Sequence, residues 1–70
     1  MSSELSEMDK LSHLLEHWQE HNEEHVANYK KWADRADANG RSETGILLRE
    51  AADVTARVTG LFARAKETLD

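Results

Sequence analysis

The stretch DANGRSET, residues 37–44, decides the fold. Asn39-Gly40 reads as a helix stop, because glycine readily takes the left-handed backbone that closes a last helical turn. Ser42 or Thr44 can cap a helix that begins directly afterwards. Upstream, every residue from about 6 to 38 is compatible with helix. Downstream, the same holds from about 43 to 69. Proline is absent and glycine occurs only three times in 70 residues, so neither segment carries a strong break. Two long helices joined by a turn at 39–42 must run antiparallel. The expected fold is all-α, a two-helix antiparallel hairpin forming one domain over residues 1–70.

The apolar pattern supports that reading. The first helix follows a short polar start, with Ser3 or Ser6 as its cap and Asp9 at capping-box distance from Ser6. Met8, Leu11, Leu15, Trp18, Tyr29, Trp32 and Ala36 follow steps of three and four, the period of a helical seam. Asn22 and His25 occupy the seam at its middle. The second helix carries Leu47, Leu48, Ala51, Val54, Thr55, Val58, Leu61, Phe62, Ala65 and Leu69, with Gly60 on the opposite face. Antiparallel pairing sets Trp18 near Leu61, Phe62 and Ala65. The second stripe is wider than one partner helix covers. An exposed apolar strip of that kind marks an association face, so a homodimer forming a four-helix bundle is expected.

One feature stands out chemically. His13, His17, His21 and His25 recur every four residues within HLLEHWQEHNEEH, residues 13–25, and the chain has no other histidine. Residues four apart lie one turn above each other on a helix. Two imidazoles so placed can share one metal ion, and a neighbouring carboxylate can add a ligand. Glu16, Glu20 and Glu24 form such a parallel ladder. Residues 1–25 hold Glu4, Glu7, Asp9, Glu16, Glu20, Glu23 and Glu24 against Lys10 alone. That field concentrates cations around the histidines. The expected ligand set is His17 and His21 at the centre, with His25, Glu24 and Glu20 beside them and His13 at the solvent end. Ni²⁺ or Zn²⁺ suits imidazole, and Cu²⁺ ranks behind them. The plainer reading makes His25 a core histidine bonded to Thr55 or Thr59, Asn22 a register-fixing polar residue and the glutamates a solvated face.

The segment EHWQEHNEEH, with Tyr29, Trp32 and Ala33 after it, resembles a small uncharacterised family of helical-hairpin proteins from anaerobic bacteria and archaea. The resemblance covers mainly residues 13–36. It implies an association with nickel handling and a metal-related role, without supplying an activity or a ligand set.

Other classes are excluded on composition and spacing. Net charge is −5, and the arginines of the second helix alternate with acids, which argues against nucleic acid. No apolar run suits a membrane span and no basic-apolar leader precedes the helices, so a cytoplasmic protein is expected. Cysteine is absent. There is no phosphate-binding glycine loop, no nucleophile-base pair and no Glu-x-x-His pair of the di-iron type, so neither an enzyme nor an organic cofactor is expected. The expected function is a non-enzymatic metal-binding protein for delivery, storage or sensing. The competing reading is a dimerisation or protein-interaction module, with a partner protein and no metal role. A pH-responsive bundle is a third, since stacked histidines repel one another once charged.

Overall fold

The computed structural model describes residues 6–69 as two α-helices, α1 over Glu7–Ala38 and α2 over Ser42–Leu69. The proposed cap Ser3 lies outside the described residues. Ser6 caps α1. Its hydroxyl accepts from the Asp9 N–H at 3.1 Å, and the Asp9 carboxylate accepts from the Ser6 N–H at 3.4 Å. Two of the donors that a helix start leaves unpaired are thereby satisfied.

The turn is short because it is built from one motif. Gly40 stands at φ +74°, in the left-handed region. The Gly40 N–H donates to the Asp37 carbonyl at 3.0 Å and the Arg41 N–H to the Ala36 carbonyl at 2.8 Å. This crossed pair is the Schellman closure, and it uses two carbonyls that the end of α1 would otherwise leave open. The Asn39 side-chain amide donates to a third, the Arg35 carbonyl, at 2.8 Å. The first bond of α2 runs from the Gly45 N–H to the Arg41 carbonyl at 3.0 Å. That places Arg41 at the boundary, where Ser42 or Thr44 was expected, and starts α2 one residue early.

The helices meet along two heptad rows. On α1 the covered positions step through Ser12, Leu15, Gln19, Asn22, Val26, Tyr29, Ala33 and Ala36. On α2 they step through Gly45, Leu48, Ala52, Thr55, Thr59, Phe62, Lys66 and Leu69. Each row alternates steps of three and four, the packing period of antiparallel helices. The seam expected on α1 is therefore rotated. Leu15, Asn22, Tyr29 and Ala36 hold, and Leu11 and His25 are half-buried, but Trp18 and Trp32 are 37% and 54% exposed and the row runs through Gln19 and Ala33 in their place. Met8 stands on the same row as Leu15 and is 51% exposed.

Side-chain size explains the rotation. Ala33 and Ala52 are fully buried and Gly45 is buried beside them. A Cβ on Gly45 would run into the Asp37 carboxylate and stand 3.1 Å from the Ala33 carbonyl. Two helix backbones can come that close only across small residues, and an indole there would force them apart. Arg49 fastens the same end, donating to Asp37 at 2.6 Å and to Asp34 at 2.8 Å. The Asp37 carboxylate, and after it Asp34, hold this guanidinium above its ordinary value, so it is charged at every relevant pH.

Gly60 faces open space, with nothing within 4 Å of the Cβ it lacks. It lies in the interior of an exposed helix surface, where glycine costs about 0.5–1 kcal/mol relative to alanine. Gly60→Ala is expected to raise stability by that amount in thermal or urea unfolding. No gain would mean that α2 is strained or contacted at this point.

Candidate metal site

The four histidines climb α1 from solvent toward the seam. His13, His17 and His21 are exposed and His25 is half-buried. The i+4 repeat drifts about 40° per step around the helix, which moves the column sideways as it rises. The ring centres of His17 and His21 stand 5.9 Å apart, those of His21 and His25 4.6 Å, and His25 stacks on Tyr29 at 5.8 Å with 9° between the planes. Two imidazoles whose nitrogens each lie about 2.1 Å from a shared ion would have centres roughly 4.5–5 Å apart. The His21–His25 pair already stands at that separation, and His17–His21 is about 1 Å wider. The expected central pair was His17 and His21, and His21 also neighbours His25, so it is the common member of two possible pairs.

The carboxylates sit alongside. One shallow groove is lined by His17, Glu20, His21, Glu23 and Glu24. The next, half a turn on, is lined by His21, Glu24, His25 and Asn28. Glu24 thus borders both histidine pairs, whereas Glu20 borders only the lower one. His13 lines neither groove. Among the described residues, no three of His, Cys, Asp or Glu are gathered closely enough to enclose one ion. What α1 presents is a row of two-nitrogen sites with acids at its edge.

The expected bond from His25 to Thr59 gives way to a different arrangement. The Thr59 hydroxyl donates to the Thr55 carbonyl of its own helix at 3.0 Å. His25 is instead placed by its stack on Tyr29. Asn22 lies half-buried within the hairpin's own seam, and it shares a groove with Trp18, His21, Val58 and Phe62. Trp18 packs on Phe62 with ring centres 5.5 Å apart, as antiparallel pairing requires. Trp32 lies open, with the Arg35 guanidinium 4.6 Å from its ring centre. Among the described residues no helix is long and apolar enough to cross a membrane.

The family model for a domain of unknown function, DUF8180, matches residues 11–69, which take in the histidine column, the turn and all of α2. The chain belongs to the DUF8180 family. An uncharacterized protein of Archaeoglobus fulgidus is 34% identical over 58 residues, covering 83% of this chain and 92% of that protein. No solved structure matches the chain. The match to DUF8180 spans both helices, so the family unit is the hairpin itself.

Proposed function

We propose that this DUF8180 hairpin is a small, non-enzymatic, cytoplasmic protein that binds a divalent transition metal, nickel or zinc in type, for delivery, storage or sensing. The observation that carries the reading is the ring column of His17, His21 and His25 with Glu24 along its edge. Imidazole nitrogen supplemented by carboxylate oxygen suits ions of this class, with Cu²⁺ as the weaker candidate. The nickel side of the proposal draws on the family resemblance of EHWQEHNEEH. Two histidines and one glutamate leave a coordination position open to water or to a receiving protein. An ion that has to be handed on benefits from such an incomplete sphere.

Titration calorimetry with Ni²⁺ and with Zn²⁺ tests it. One ion per chain is expected, with uptake falling on acidification because imidazole ligates only when neutral. An ion bound only by the folded chain must also raise its melting temperature. Heat of binding without stoichiometry and without a thermal shift would sink the proposal.

A second reading is favoured by a separate observation. Leu47, Val54, Leu61 and Trp32 are each at least half exposed. On this reading the hairpin is an assembly module and metal changes neither its stability nor its association.

A further inference from the structure

Most of the exposed large apolar residues form a second seam, with Met8 and Ile46 lying off it. Leu14, Trp18, His21, His25 and Trp32 fall on one continuous stripe of α1, and Leu47, Val54, Val58 and Leu61 on one stripe of α2. Each runs at the same three-four period as the hairpin's own contact row, displaced by about 110° around the helix. A displacement near a right angle is what each helix of a four-helix bundle needs in order to touch two neighbours. Both stripes lie on the same side of the hairpin, because Trp18 and His21 share a groove with Val58 and Phe62. The other side differs in chemistry. There Glu23 shares a groove with Val26 and Ala56, and Arg49 joins Asp34 and Asp37.

We propose that a second copy of this chain covers the Trp18–Leu61 side, with both turns at the same end, so that α1 of one subunit packs on α2 of its partner. This extends the assembly reading, and it places His21 and His25 on the covered side with Glu24 at its edge.

Charge argues for a second copy in this arrangement. Trp18 lies level with Phe62 and Asn22 with Val58, so residues whose numbers sum to about 80 share a height on the two helices. With the turns together, the same rule holds between subunits. Glu24 and Lys31 border the second stripe on α1, and Arg57 and Glu50 border it on α2. Glu24 then meets the partner's Arg57, and Lys31 meets the partner's Glu50. Two-fold symmetry repeats both attractions. With the turns at opposite ends, α1 would pack on α1 and neither of these charge pairings would form.

Sedimentation of the full chain at several concentrations tests the assembly, and charge exchange tests the arrangement. A dimer is expected, with a melting temperature that rises with concentration. Lys31→Glu should weaken it about tenfold, and adding Glu50→Lys should restore it. Lys31 and Glu50 lie outside the histidine column, so failure of metal binding does not touch this result. A folded monomer at sub-millimolar concentration overturns the second copy. A dimer that Lys31→Glu strengthens overturns the arrangement and leaves the assembly reading standing.

Discussion

Ala52→Leu should remove most of the hairpin's stability. Ala52 is fully buried in the seam, two helical turns beyond Gly45. Added methylenes in a filled contact cost about 1–3 kcal/mol, because neighbours must leave their rotamers or the backbones must separate. A single domain of this size has little reserve from which to absorb such a loss. Urea unfolding followed by helical signal is the measurement, with Ala27→Leu as control. Ala27 is exposed on α1, and alanine and leucine both favour helix, so the control should move stability by no more than about 0.5 kcal/mol. Equal effects at the two positions would mean that the close approach of Ala33, Gly45 and Ala52 does not fix the helix spacing.

His21→Ala is expected to weaken Ni²⁺ or Zn²⁺ binding by at least about 100-fold. Groups that merely support a metal ligand cost 10–100-fold when removed, and a lost ligand should exceed that. His21 is singled out because it belongs to both ring pairs, so its removal leaves no two histidines one turn apart above His17. His13→Ala should change affinity by no more than about twofold, as a surface substitution away from the grooves. Calorimetric titration of both variants gives the comparison. If they lose affinity equally, or neither does, the column is not the site.

The hairpin was legible because its punctuation is local. Ser6 with Asp9 opens α1, Asn39-Gly40 closes it, and each acts through backbone groups a few residues away. The histidine column was legible for the same reason, as i+4 spacing alone places the rings in a row. Which face of α1 meets α2 was not. Trp18 and Trp32 are more apolar than Gln19 and Ala33, and at these two levels apolarity pointed to the wrong side of the stripe. The deciding quantity was volume, since close backbones favour alanine and glycine over indole. Gly45 and Ala33 carried that signal, visible as small residues that come level once the helices are paired through the turn, and Ala52 repeats it one heptad on. The wide stripe of α2 was correctly read as more than one helix can cover. Its division into two seven-residue rows needed the pairing to be known. The stack of His25 on Tyr29, beside which His21 and His25 stand 4.6 Å apart, is a ring arrangement that spacing alone cannot supply.

The one-sided closure of the hairpin also orders its folding in time. Every contact between α1 and α2 is reached by zipping outward from the Schellman turn, where Arg49, Asp34 and Asp37 bind the ends together first. Loop closure costs least for the shortest loop and rises with each added pair of residues. Such a local, ladder-like order of contacts belongs to chains that fold in microseconds to milliseconds. The same gradient governs opening. Amides around Ala33 and Ala52 should exchange with solvent last, while those near Lys10 and Leu69, farthest from the turn, open and reclose many times for each global unfolding.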